Sequence, residues 1–317
     1  MIDYIHTDKD FKDLIAIVSN KLKINPLLIE KDYWIMHILY SLQQQGIEYE
    51  LKGGTSLSKG FGIINRFSED IDIHIKTNFG LKIEGNADKL SVRNARKEFY
   101  DLLVSKLKVD GIISIQRDFA FDDLDKYRSG GIRLNYTGFS KQIEGVKEGI
   151  LLEVGFDQVT PNISTNISSW VWKHLEKNNL TSNYIDNNAI GVLCYHPGYT
   201  FIEKLQTIVR KFRNRQIENE SNAINFMRHY YDVYCLLQNE SILKFIGSDD
   251  YQFHKSKRIK GIDAEIPLSE HPAFSLSVSK IRESFRKQYN STSNLYYKGQ
   301  PDFENVINLI DQNRKRF

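Results

Sequence analysis

Asp70 and Asp72 stand two residues apart in a segment that alternates with isoleucine, Glu69-Asp-Ile-Asp-Ile-His. Side chains two apart on a strand share a face, so the two carboxylates would project together while Ile71 and Ile73 bury the other side. Each negative charge raises the proton affinity of its neighbour. A bound Mg²⁺ removes that conflict, because a hard cation takes carboxylate oxygens together with substrate phosphates. The plainer alternative is a solvated strand face with incidental acids. Just upstream, Gly53-Gly54-Thr55-Ser56 precedes Lys59. Without Cβ atoms a backbone lets a phosphate come close, and a helix starting at Thr55 would aim free amides at an anion. Ser56 could add a hydroxyl and Lys59 a charge, although an ordinary turn with a capped helix would use the same residues. The Gly-Lys-Ser/Thr ending of a P-loop is absent. A third acid, Glu153, sits mid-strand in ILLEVGFD, where an unpaired carboxylate is costly to bury. A phosphate-suited turn followed this closely by a metal-suited strand points to nucleotidyl transfer.

The elements that must position these residues are readable from periodicity. Residues 9–45 read as helical, with Asn25-Pro26 as a helix start. The segment LLIEKDYWIMHILYSL is apolar on more than one face and is expected inside the fold, with Glu30-Lys31-Asp32 as a patch of helix surface. Ile47, Tyr49 and Leu51 alternate with Glu48, Glu50 and Lys52, a half-buried strand ending at Gly53-Gly54. A second strand runs through Ile71, Ile73 and Ile75. A charged helix covers 87–108, and two further strands lie near 131–137 and 149–157. After Pro197 the pattern turns helical, with Phe201, Leu205, Ile208 and Phe212 forming a stripe. A second helix covers 222–238, an exposed Ser/Asn-rich loop lies near 286–300, and a last helix covers 302–313. The expected fold class is α+β: a mixed-sheet domain with flanking helices over 1–197, then a mainly helical C-terminal domain over 198–317.

Bulk properties narrow the class. The 317 residues are 41% hydrophobic and 12% aromatic, the composition of a chain with a real core rather than a disordered one. No basic and apolar leader is visible at the N-terminus, and no apolar run approaches the length of a membrane span, so a soluble, cytoplasmic protein is expected. Two cysteines, Cys194 and Cys235, exclude a disulfide framework or a cysteine metal site and are expected in the core. Residues 200–317 carry 19 Lys/Arg against 14 Asp/Glu, whereas the remainder carries 24 against 26. The clusters Arg210-Lys211-Arg213-Arg215 and Lys255-Lys257-Arg258-Lys260 are candidate contacts to a nucleic-acid backbone, or else solvated faces. His74, His196 and His229 lie near the motifs and read as structural.

GGTSLSK followed by RFSEDID resembles the AbiEii family of nucleotidyltransferase-like toxins, which includes the MenT group. The family pattern runs through a GGTxLxK element, an RxSxDxD element, a later strand acid, a helix with Glu-Lys and a helix with Asp. This chain supplies them in order as Gly53 to Lys59, Arg66 to Asp72, Glu153, Glu203-Lys204 and Asp232. The upstream IEKDYW also looks like the family's N-terminal helix. One departure is visible: the family's Arg-Asp pair in the last element is Tyr231-Asp232 here. The resemblance implies a nucleotidyltransferase-like fold that moves NMP from an NTP to an acceptor, with tRNA as the expected acceptor and a protein hydroxyl as the alternative. A module that binds nucleotide or RNA without turnover is a further alternative, disfavoured by the intact acid set. It implies Mg²⁺, or Mn²⁺ in its place, on Asp70, Asp72 and Glu153. Gly53, Gly54, Thr55, Ser56, Lys59, Arg66 and Ser68 would bind nucleotide, with Lys204 and Asp232 joining the catalytic set. A cognate antitoxin is expected as partner.

Overall fold

In the computed structural model the described residues are 2–85, 89–143, 146–157, 159–218 and 226–317, with the side chains of 215–218 set aside. The expected starts of the helices near 87 and 222 lie outside them. The chain forms two compact units, one of 1–61 with 67–195, the other of 62–66 with 196–317.

The first unit begins with two helices, α1 (Phe11–Leu22) and α2 (Pro26–Gln44). They are separated where Lys23 turns left-handed and Asn25 caps α2, its side chain accepting from Leu27 N at 2.9 Å. A residue before proline disfavours the helical region, which is why the expected helical stretch breaks here. Strand β1 (Tyr49–Lys52) runs into a short helix, α3 (Gly53–Thr55), which continues as a π-helical turn over Ser56–Gly60. Then come β2 (Asp70–Ile75), α4 (Leu90–Lys106), β3 (Ile112–Asp118), β4 (Ser129–Tyr136), β5 (Ile150–Gly155), β6 (Asn162–Ile167), α5 (Trp170–Lys177) and β7 (Ala189–Tyr195).

These strands form one mixed sheet of order β3-β4-β5-β2-β1-β7-β6. Strand β2 sits centrally, antiparallel to β1 and parallel to β5. Its burial alternates as the sequence predicts: Ile71, Ile73 and Ile75 are buried, Asp70, Asp72 and His74 only partly so. The apolar face is packed by α2, whose Trp34 stacks on Tyr136 of β4, and by α4, whose Tyr100 ring lies against Gly130. The sequence reading placed four strands and missed β3, β6 and β7. Strands β3 and β6 are the two edges, where a half-exposed strand has no need of an alternating apolar pattern.

The second unit holds α6 (Pro197–Glu218), α7 (Met227–Leu236), α8 (Glu240–Phe245), α9 (Asp249–Arg258), α10 (Pro272–Ser275), α11 (Ser279–Asn290) and α12 (Phe303–Asn313). The α6 stripe of Phe201, Leu205, Ile208 and Phe212 is buried, with Phe212, Phe226 and Tyr230 meeting Phe285 of α11 edge to face. Part of the expected loop at 286–300 is therefore helix, because Phe285 and Tyr289 anchor α11 to this core. Among the described residues no helix is long and apolar enough to cross a membrane.

Candidate active site

Register alone brings three charged side chains of the first unit into one row. Lys52 of β1 pairs with Asp72 of β2, Asp72 pairs with Glu153 of β5, and Glu153 pairs with Gly131 of β4. Directly paired residues on neighbouring strands present their side chains to the same face a few ångströms apart. Burial pushes the Glu153 carboxyl up to about 7, Asp72 pushes it the same way, and Lys52 and Lys147 oppose the rise only in part. Asp70, one step along the same face, has Lys147 Nζ at 3.3 Å. The two lysines thus offset the charge of the row without returning Glu153 to its ordinary range. Among the described residues no three His, Cys, Asp or Glu side chains are drawn together tightly enough to hold a metal ion by themselves. The donor chemistry still fits a hard cation: Asp72 and Glu153 are paired carboxylates, and burial together with the Asp72 charge raises the proton affinity of Glu153.

The glycine turn is built around this row. Gly53 has φ +70°, and a Cβ there would stand 2.2 Å from Asp72 Oδ2. Only glycine lets the carboxylate lie over the backbone in this left-handed conformation. The helix starts at Gly53, two residues earlier than expected, so the glycines are its first turn and not the turn before it. Thr55 does not cap it: its hydroxyl donates to the Asp70 carbonyl at 2.5 Å and ties the turn to the start of β2. Gly54 is buried, and Ser68 is half-buried in the loop before β2. The Ser56 hydroxyl is buried and faces the Cys194 thiol, which Thr165 also contacts at 3.3 Å. Ser56 therefore points into the packing against β7 rather than outward. Lys59 is likewise committed, with Nζ 2.5 Å from Asp32 Oδ1 and 5.1 Å from the Trp170 ring.

The Glu30-Lys31-Asp32 run, read as helix surface, is buried throughout. Glu30 accepts from the amides of Phe139 and Ser140 at 2.9 and 3.1 Å. Lys31 donates to the Gly149 carbonyl at 2.5 Å at the entry to β5, and burial lowers its amine to about 8 against the pull of Glu69 and Asp70. Asp32 holds Lys59 and accepts from Trp170 N at 2.7 Å. One turn of α2 thus braces the glycine turn, the entry to β5 and the start of α5. The signal was present in the sequence: a helix apolar on every side leaves no solvent face for three charges. Lys147 was the other residue missed, and nothing in its loop context marks it.

In the second unit the charge balance is reversed. Asp232 of α7 is fully buried and receives a fork from Arg66, with Nε and Nη2 each at 2.7 Å, and Lys204 Nζ of α6 at 2.9 Å. Burial alone would raise its carboxyl, but Arg66 and then Lys204 outweigh that and hold it below the ordinary range. Lys204 and Asp232, which the resemblance assigned to the catalytic set, form an interior ion cluster with Arg66. Tyr231, standing where the family pattern has arginine, accepts from Asn65 N at 3.1 Å and so fixes the segment that delivers Arg66. Glu203 turns to Arg258 at 2.8 Å, so the Glu-Lys pair serves two partners. His229 is held neutral by burial together with Lys204, Lys211, Arg66 and Arg228.

The basic clusters are only partly available for a polyanion. Arg213 is paired with Asp263, Arg258 with Glu203, and Lys255 donates to the Phe317 carbonyl. Arg210, Lys211, Lys257 and Lys260 are exposed, and Lys257 lies over the Phe253 ring. The Arg215 side chain lies outside the described residues. Cys194 is buried as expected, whereas Cys235 is only partly so.

The family model described as "Nucleotidyl transferase AbiEii toxin, Type IV TA system" matches residues 37–309, a span that holds both the carboxylate row and the Asp232 cluster. No curated protein matches the chain.

Proposed function

The chain belongs to the AbiEii family of nucleotidyl transferase toxins of type IV toxin–antitoxin systems, and from that premise we propose that it moves NMP from an NTP to a hydroxyl of an RNA acceptor, tRNA being the expected one. The observation that carries this reading is the clustered row of Asp70, Asp72 and Glu153 beside the Gly53 turn. Asp70 and Asp72, with Glu153, would hold Mg²⁺ or Mn²⁺. A cation there would neutralise charge on the triphosphate and polarise its α-phosphorus. The reaction forms a bond from the acceptor oxygen to that phosphorus and breaks the bond to the bridging oxygen, so pyrophosphate leaves. The hydroxyl proton would pass to solvent, a cation on Asp70, Asp72 and Glu153 lowering the proton affinity of the acceptor oxygen. Gly53 and Gly54 would let the phosphates approach the backbone, and Lys52 and Lys147 supply fixed positive charge on the same face. Lys59 and Ser56 act by holding the turn. The antitoxin follows from the family; its docking surface does not.

The test is incubation of the purified chain with Mg²⁺, α-labelled and γ-labelled NTPs and total RNA. Label in RNA from the α-position alone, lost in Asp72→Asn, supports the reading. Label on protein alone moves the acceptor to a protein hydroxyl. No α-label in any fraction overturns the reading.

A further inference from the structure

A pocket of about 820 Å³ opens at the C-terminal ends of β2 and β5, lined by His74, Lys76, Arg96, Arg128, Phe156 and Asp157 among others. That is within the range of small-molecule and cofactor sites, roughly 300–1,000 Å³. His74 lies two residues beyond Asp72 on the same face, about 6.6 Å along the strand. Asp157 lies two residues past the end of β5 and lines the same pocket. The pocket is therefore next to the carboxylate row, on the side away from the Gly53 turn: Lys52, where that turn begins, pairs with Asp72, whereas His74 pairs with Glu50 further back along β1.

Its charges are settled unequally. Glu50 takes His74 Nδ1 and Lys76 Nζ, each at 2.8 Å. Arg96 of α4 is 6% exposed, donates from Nε to the Ile83 carbonyl at 2.8 Å and lies 5.0 Å over the Phe156 ring. Burial lowers its proton affinity, and among the described residues no carboxylate lies within ion-pair distance of it, although Asp157 and Asp123 attract it from further off. Arg128 stands exposed on the rim. Two arginines, one of them stacked on an aromatic ring, are the planar donors that suit a phosphodiester. The rim acids Glu84 and Asp157 suit ribose hydroxyls as acceptors, which DNA would not offer at the 2′ position.

We propose that this pocket binds the phosphodiester backbone of a single-stranded RNA acceptor next to its hydroxyl-bearing end, with Arg96 and Arg128 on the phosphates, so that the NTP enters from the Gly53 side and the acceptor from the His74 side. The proposal rests on the nucleotidyl-transfer reading for its direction, but the binding itself is testable alone. The probe is a fluorescent five-nucleotide single-stranded RNA, followed by anisotropy on the full chain. Arg128→Glu weakens its binding at least fivefold and leaves binding of a non-hydrolysable NTP with Mg²⁺ unchanged. Asp157→Asn narrows the preference for RNA over DNA of the same sequence. Equal RNA affinity in wild type and Arg128→Glu, or no RNA binding by the wild type, overturns the proposal. RNA binding that depends on Arg128 without any nucleotide transfer keeps the pocket and removes the transfer reading. Transfer by Arg128→Glu with the wild-type KM for RNA does the reverse.

Discussion

Two groups of carboxylates in this chain are treated in opposite ways. In the sheet of the first unit, Asp72 and Glu153 are paired across neighbouring strands, and burial, then Asp72, raises the proton affinity of Glu153 more than Lys52 and Lys147 lower it. In the second unit, Asp232 is more deeply buried, yet Arg66 and Lys204 converge on it and its carboxyl stays ionised. Burial alone cannot explain the difference, because the more buried acid is the more acidic one. What differs is what the chain itself provides. Asp232 has a complete set of partners, as a structural ion cluster requires. The sheet carboxylates stand beside Lys52 and Lys147, and Glu153 still keeps a raised proton affinity.

The comparison can be broken by removing a carboxylate from each region. Asp232→Ala strands two buried cations and should cost about 3–5 kcal/mol of stability by chemical denaturation. If it unfolds no more easily than wild type, the cluster is not structural. Asp72→Asn should do the reverse, lowering nucleotide transfer by about 10³-fold, or roughly 4 kcal/mol. Its melting temperature should stay unchanged or rise, because one repulsive charge is gone; a fall of several degrees would contradict this.

Legibility in the sequence divides along the same line. The sheet acids were readable because strand alternation and a glycine turn are local signals: Ile71-Asp72-Ile73 announces its two faces without any tertiary knowledge. The Asp232 cluster was not, because its partners come from residues 66 and 204, and nothing in the α7 periodicity reports that. Family order alone had pointed to all three. The Glu30-Lys31-Asp32 run was misread for a different reason. Its local pattern was clear, but three charges were assigned to water on a helix that has no wet face. Edge strands β3 and β6 escaped because their pairing is made on one side only and their side chains stay half exposed.

Two smaller effects sharpen the contrast. The Glu153 carboxyl is raised in the folded chain, so the stability it contributes is full below the ordinary glutamate range. That stability is lost as pH rises through about 7. In chelator, Glu153→Gln should therefore be more stable than wild type at pH 8, by on the order of 1–3 kcal/mol. Near pH 4 the gap should close, and Mg²⁺ with NTP should narrow it at pH 8. A gap that does not vary with pH would mean the row is not strained. Gly53→Ala should cost about 1 kcal/mol of stability for its left-handed φ. Its loss of transfer activity should be larger than that cost accounts for, since the new methyl displaces the Asp72 carboxylate. Equal transfer by wild type and Gly53→Ala would remove the argument for glycine at this position.

The proposed function requires the first unit's carboxylates, and not Asp232, to take a divalent cation. Mn²⁺ titration monitored by electron paramagnetic resonance, with a non-hydrolysable NTP present, tests it directly. The account predicts bound Mn²⁺ that Mg²⁺ displaces, lost in Asp72→Asn and retained in Lys204→Met. Equal Mn²⁺ binding by wild type and Asp72→Asn, or none by the wild type, would contradict it.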